Sequence, residues 1–338
     1  MGAGIVGLAT ARALARDGRR VLVLERFEVG HGRGSSHGTS RIFRLSYPEE
    51  EYVRLALESL DGWRALEREA AETLLATTGS LDCGPYATAH RDAMAACGVA
   101  SEELDEAAAS RRFGVRLPSG GLLQADGGNL RADRCAAALL ASATTAGAEL
   151  REQTPVTALE PAGEGVRLET TTGSVDARAV VVTAGAWAPR LLATAGIELD
   201  VVPTRETIVY LRLGRSEPPP SLIHQVSPGR MPYALEAPGI GLKAGVHQTG
   251  PVIDPDVDGQ PEPALAEEAA AWAAARFPDA EPEPVKVETC LYTNAPADRF
   301  VLERHGSIVV GSACSGHGFK FAPANGERLA ALALEAAG

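Results

Sequence analysis

Gly2-Ala3-Gly4-Ile5-Val6-Gly7 opens the chain and decides how the rest of it is read. Glycines at this spacing, directly before a helical pattern, form the fingerprint of a dinucleotide-binding turn. The first glycine permits the tight turn, and the second lets backbone approach a pyrophosphate. The third lets the helix lie close on a sheet. The N-terminus of that helix then faces the phosphates with free N–H groups. Ile5, Leu8, Ala9 and Ala13 fall on one face, and the helix should end near Asp17-Gly18. Val21 to Leu24 reads as the next strand. Glu25 stands at its end, where a carboxylate can accept hydrogen bonds from a ribose.

The whole chain of 338 residues has room for roughly two domains. Hydrophobic residues make up 45% and charged residues 22%, a balance that buries a sizeable core. A net charge of -12 argues against a nucleic-acid or anionic-membrane surface, and no apolar run reaches the length of a membrane span. Five cysteines, Cys83, Cys97, Cys135, Cys290 and Cys314, show no metal-ligand spacing, so no metal is expected. With no export signal in view, a cytoplasmic, reduced protein is expected. Of the 32 basic residues only three are lysines, Lys243, Lys286 and Lys320. Lysine is the cation that can lose its proton when buried, which arginine cannot do.

Periodicity places helices over residues 51–70, 131–146 and 264–277, the first with a buried stripe of Tyr52, Ala56, Leu60, Trp63 and Leu66. Strands are expected over residues 155–160, 166–171, 179–183, 208–213, 242–246 and 307–310, with a terminal helix from about Ala324. This order suggests an α/β chain with a discontinuous, doubly wound dinucleotide domain over residues 1–79, 128–203 and 294–338. An α+β substrate domain with an antiparallel sheet, residues 80–127 and 204–293, is inserted in two pieces.

Further motifs narrow the reading. Ala179-Val-Val-Val-Thr183 runs into the small-residue turn Ala184-Gly185-Ala186-Trp187. Ser315-Gly-His-Gly-Phe-Lys-Phe321 places glycines, a histidine and a lysine just before a helix, an anion-stabilising arrangement. Together with Gly34-Ser-Ser-His-Gly-Thr-Ser-Arg-Ile-Phe-Arg44, Gly241-Leu-Lys-Ala-Gly-Val-His247, Ile253-Asp-Pro-Asp256 and Cys290-Leu-Tyr-Thr293, these segments run in order over nearly the whole chain. The chain resembles the FAD-dependent amine and D-amino-acid oxidase family, most closely its sarcosine oxidase and N-methyltryptophan oxidase branch.

That resemblance implies FAD held by a Rossmann-like domain, with amino-acid substrate and oxygen as partners and a monomeric state. It implies covalent attachment at Cys290, whose thiolate would be favoured by a nearby positive charge. Lys243 resembles the lysine that promotes reaction with oxygen, and Arg44 with Lys320 the pair that clamps a substrate carboxylate. His247 and Arg41 would line the flavin face, and Tyr292 would pack near the substrate. Cofactor contacts are implied for Gly2, Gly4, Gly7, Glu25, Ser35, His37, Ser40, Arg41, Val156, Gly185, Trp187, Gly316, His317, Gly318, Phe319 and Lys320. Cys314 lies close to the same turn, whereas His31, His90, His224 and His305 read as surface or structural, with His224 in the substrate domain the one able to reach the pocket. The implied reaction oxidises a secondary amino acid to an imine with release of hydrogen peroxide. Three alternatives stand beside it: an oxidase of a cyclic or bulky imino acid such as pipecolate or proline, an inactive relative that binds flavin poorly, or a dehydrogenase that passes electrons to a quinone or carrier instead of oxygen. The second arises because the family begins with a strand of about six residues before the glycines, which this sequence lacks.

Overall fold

A computed structural model of the protein describes residues 1–338. The first helix, Ile5–Arg16, starts at the glycine turn with Gly4 extended as its N-cap, and Ile5, Leu8, Ala9 and Ala13 are buried. It packs on the helices Ala132–Thr145 and Ala322–Ala337. Small residues permit the close crossing: a Cβ on Gly326 would lie 2.7 Å from the Ala9 carbonyl carbon. A Cβ on Gly7 would overlap the Gly2 carbonyl oxygen and lie 2.6 Å from Thr183 Oγ1. Gly2 has φ +89°, a conformation that L side chains rarely adopt.

Two parallel pairings flank this turn. Leu22–Leu24 pairs with Glu149–Arg151, and Val180–Val182 pairs with Ile308–Ser312, which carries Val301–His305 antiparallel at its outer side. The first residues lie between the two groups: Gly2 N donates to Leu24 O at 2.8 Å and Thr183 N to Met1 O at 2.9 Å. Strand ends and the helix N-terminus therefore meet at one edge, the place where parallel sheets bind ligands. A meander of Val156–Ala162, Gly165–Thr170 and Gly173–Ala177 covers this region. Its third strand was not expected from the sequence, because Gly173 interrupts the apolar pattern; at φ +132° that glycine makes the return turn.

A second sheet has eight strands in the order Lys286–Asn294, Val202–Arg212, Gly241–Val246, Pro232–Ala237, Ser221–His224, Ser80–Cys83, Gly121–Gln124 and Glu102–Leu104. The expectation of an antiparallel sheet needs one correction, since Ser221–His224 and Ser80–Cys83 run parallel. These strands come from separate stretches of chain, so no hairpin constrains their direction. Helix Pro263–Arg276 covers the sheet over a core of Val209, Leu211, Leu242 and Phe277. The stretch between the strands near residues 83 and 121 also holds two helices, Ala87–Ala96 and Glu106–Phe113.

Helix Glu50–Ala70 buries Ala56, Trp63 and Leu66, with Tyr52 and Leu60 half-buried. Trp63 is fully buried and donates its indole N–H to Lys320 O at 2.8 Å, fixing the turn before the terminal helix. The close contact at Gly7 predicts that Gly7→Ala lowers stability by about 1–3 kcal/mol through overpacking. Urea denaturation of the variant beside the parent protein checks this; an unchanged midpoint would show that the helix can lift from the turn.

Candidate active site

A cavity of about 620 Å³ extends from Gly2 to Lys320 between the two sheets. It is lined by every residue singled out in the sequence for cofactor or substrate except Gly7, which lies beneath the turn. At one end Glu25, 5% exposed, accepts from Ala3 N at 2.6 Å and Phe27 N at 2.9 Å. These bonds hold the carboxylate at the strand end. His31, read from sequence as a surface residue, also lines this end, with Nε2 3.7 Å from Glu25 Oε1. Trp187 is fixed by its indole N–H to Asp256 Oδ1 at 2.8 Å, and Arg26 stacks over Phe27 and Trp187.

The Ser-rich loop forms the middle of the cavity. Arg41 donates to the carbonyls of Ser35, His37 and Ser40 at 2.6–2.8 Å, so its guanidinium stiffens the loop that carries it. Ser35 Oγ donates to Leu291 O at 2.5 Å, tying the loop to the strand that carries Cys290. Both ring nitrogens of His37 lie near carbonyl oxygens, Gly34 O at 3.0 Å and Thr289 O at 3.1 Å. Burial, and then Arg41, push its pKa down to about 4. Ser40 Oγ is buried in the cavity wall without a partner.

Cys290 Sγ lies 3.8 Å from Arg41 Nη2. The expected cations are present, yet burial outweighs Arg41 and Lys243 and holds the thiol above its ordinary pKa. The two cations pull towards the thiolate as expected, against the larger effect of desolvation. Cys314 Sγ is 3.8 Å from Ser35 Oγ and 3.4 Å from Thr293 N, in the same wall. Lys243 is 3% exposed, with Nζ 3.4 Å from Ser40 O. Burial first, and Arg41 second, pull its pKa down to about 7.

The far end gathers Arg44, Tyr47, His247, Tyr292, His317 and Lys320. Arg44 Nη1 bonds Asp82 Oδ1 at 2.8 Å, and its guanidinium carbon lies 4.4 Å from the centre of the Tyr47 ring. Lys320 Nζ donates to Tyr47 OH at 2.9 Å and to His317 O at 2.8 Å. Burial, then Arg44, lower the Lys320 pKa well below its usual value. His317 is set between Tyr47 OH at 3.3 Å and Asp298 O at 3.0 Å, and it stacks on Phe300. Ser315 and Gly316 both have positive φ, which turns the backbone back beneath His247 and Tyr292; a Cβ on Gly316 would meet both rings. Burial drives His317 to about 3 and His247 to about 4, the latter also opposed by Arg44 and Lys320.

Tyr47, Asp82 and His90 were not singled out as functional residues in the sequence. His90 lines the cavity, with Nδ1 3.0 Å from Ser46 Oγ and 3.6 Å from Asp82 Oδ1. His224 stands apart from the cavity and faces the Trp272 indole N–H at 3.4 Å. Lys286 pairs with Glu288 at 2.5 Å near the protein exterior.

These residues fit an FAD. The glycine cradle, which a Cβ would fill, meets a helix N-terminus; the unpartnered Ser40 hydroxyl and the cations beside Cys290 line the cavity that continues from it.

Residues 1–332 match the family model described as FAD dependent oxidoreductase. The chain is 34% identical to the peroxisomal sarcosine oxidase of Homo sapiens, over 99% of this chain and 91% of that one. It is 33% identical to the monomeric sarcosine oxidase of Streptomyces avermitilis, over 99% and 92%. Among solved structures it is similar to NikD, described as an unusual amino acid oxidase essential for nikkomycin biosynthesis, at 33% identity. That match has a TM-score of 0.88 and covers 99% of this chain and 92% of NikD. No helix is long and apolar enough to cross a membrane.

The lowered histidine pKa values make stability depend on pH. His247 binds a proton near pH 6.5 when unfolded but only near 4 when folded, so its contribution is present above pH 6.5 and lost as pH falls towards 4. His247→Gln should remove up to about 3 kcal/mol of this acid sensitivity. Melting temperatures between pH 4 and 7 test this, and parallel curves for both proteins would contradict it.

Proposed function

As the chain belongs to the FAD dependent oxidoreductase family, matched over residues 1–332, we propose that it oxidises secondary amino acids of the N-methyl type to imines, with oxygen as acceptor. The observation that carries this reading is the convergence of Arg44, Lys320, Lys243 and Cys290 on one cavity. FAD, when bound, supplies the two-electron acceptor. The protein's part is binding, orientation and charge.

Arg44 and Lys320, both in contact with Tyr47, receive the carboxylate, one as a planar fork and the other as a point charge. A protonated amine among these cations is disfavoured, so the substrate nitrogen is held neutral. His247, itself uncharged near neutrality, adds no competing positive charge. Fixing the carboxylate orients the neighbouring C–N bond, which converts much of the barrier into prior positioning. Lys243, with its pKa near 7, holds or releases a proton in the working range beside the reduction of oxygen.

Cys290 is the proposed point of covalent attachment. Attachment requires a proton to leave the sulfur, and Arg41 and Lys243 are the groups that oppose the burial penalty on the thiolate. All five cysteines are free, which fits a reducing compartment. A cytoplasmic location and a monomeric state belong to the same proposal.

Flavin-loaded protein given sarcosine, N-methyltryptophan, pipecolate and proline should release peroxide fastest with an N-methyl substrate. Preference for pipecolate or proline would favour a cyclic imino acid instead, and no peroxide from any of them would sink the oxidase reading. Cys290→Ala should leave the flavin extractable by acid; colour retained in the precipitate would point to another residue. Lys243→Met should slow reoxidation by oxygen about 100-fold or more, the scale of losing a preorganised charge. Stopped-flow reoxidation of the reduced protein reads this directly, and an unchanged rate would remove Lys243 from the oxygen step.

A further inference from the structure

Behind the substrate end of the cavity stands a buried carboxylate that the reaction as proposed does not use. Asp82 is 3% exposed and sits on the strand Ser80–Cys83 of the eight-stranded sheet, whereas Arg44 follows the strand Arg41–Phe43, which belongs to a separate three-stranded sheet with Gly128–Leu130 and Leu75–Ala76. Their ion pair therefore crosses between two sheets, at 2.8 Å, with side chains only 5% and 11% exposed. Asp82 Oδ2 has no hydrogen-bond partner, so the carboxylate is committed to Arg44 and His90 through Oδ1. Burial alone would raise its pKa, but Arg44 holds the carboxyl below its usual value, so Asp82 is an anion.

The charges at this end can be counted. Arg44 and Lys320 are the basic groups, and each bears on His247. Lys320 has a phenol and a carbonyl as partners, neither anionic. Arg41 and Lys243 form a separate basic pair beside Cys290, bonded to loop carbonyls. Asp82 is the anionic partner of Arg44, leaving Lys320 as the one basic group at the substrate end without an anionic partner.

We propose that Asp82 is a specificity-determining residue that sets this chamber to accept one carboxylate and to reject a second. This rests on the reading that Arg44 and Lys320 receive the substrate carboxylate. A substrate with a single carboxylate balances the chamber. One whose nitrogen substituent bears another carboxylate brings a second charge to this end, where no unpaired basic group remains and a fixed anion stands behind Arg44.

The test uses FAD-loaded protein and non-oxidisable thioether ligands, with affinity read from perturbation of the flavin spectrum. Thiodiacetate carries two carboxylates, and its monoamide has the same size with one. The parent protein should bind the monoamide at least about tenfold more tightly. Asp82→Asn should bring the two affinities within about threefold, chiefly by tightening thiodiacetate, and Asp82→Glu should retain the discrimination. Equal affinities in the parent protein overturn the proposal without any variant. So does a ratio that survives in Asp82→Asn, or exclusion of the monoamide too, which would make size the selector. The outcome is separable from the proposed activity. Discrimination without oxidation of any secondary amine would leave the charge rule and remove the oxidase reading; oxidation of N-methyl substrates with equal affinities would do the reverse.

Discussion

The near-contact of Gly7 with the Gly2 carbonyl is the constraint on which the rest depends. With no side chain at either position, the first helix seats directly on the turn, and its N-terminal N–H groups open onto the cavity. The same seating brings Ala9 against Gly326 and locks the terminal helix in place. That helix begins at Ala322, directly after the turn that carries His317 and Lys320. A contact at the very start of the sequence thus fixes the geometry of a site built from residues near its end.

Placing cations in a buried chamber is the second constraint, and the protein meets it in three ways. Arg41 is bonded to three loop carbonyls, Arg44 is given a carboxylate, and the lysines are left without one. Burial then shifts Lys243 and Lys320 downward, because an ammonium without an anion is poorly solvated there. Such a site is poised for an anionic ligand, since an entering carboxylate supplies the anion that Lys320 lacks. Tyr47 makes the arrangement compact, stacking under Arg44 and accepting from Lys320, so the two cations keep a set separation.

Much of this was legible in the sequence because the relevant residues sit in short motifs whose chemistry is local. The glycine turn, the Ser-rich loop and the Ser315–Phe321 segment each carry several chemical groups within a few residues, and the scarcity of lysine drew attention to Lys243 and Lys320. At Cys290 the nearby charge is readable from sequence, whereas the depth of burial opposing it is a property of the fold. Asp82 and His90 escaped notice for a related reason. Asp82 is a lone acid between Leu81 and Cys83, and its meaning comes from Arg44, reached 38 residues away across two sheets. The parallel join of Ser80–Cys83 with Ser221–His224 was hidden in the same way, since pairing between distant segments leaves no local periodicity.

The most direct measurement is a crystal structure of the FAD-loaded protein with methylthioacetate, the thioether counterpart of N-methylglycine. The account predicts the ligand carboxylate between Arg44 and Lys320 over the Tyr47 hydroxyl, with Arg44 still bonded to Asp82 and the sulfur directed at the flavin. A carboxylate bound instead at Arg41 and Lys243, with Arg44 and Lys320 untouched, would contradict it.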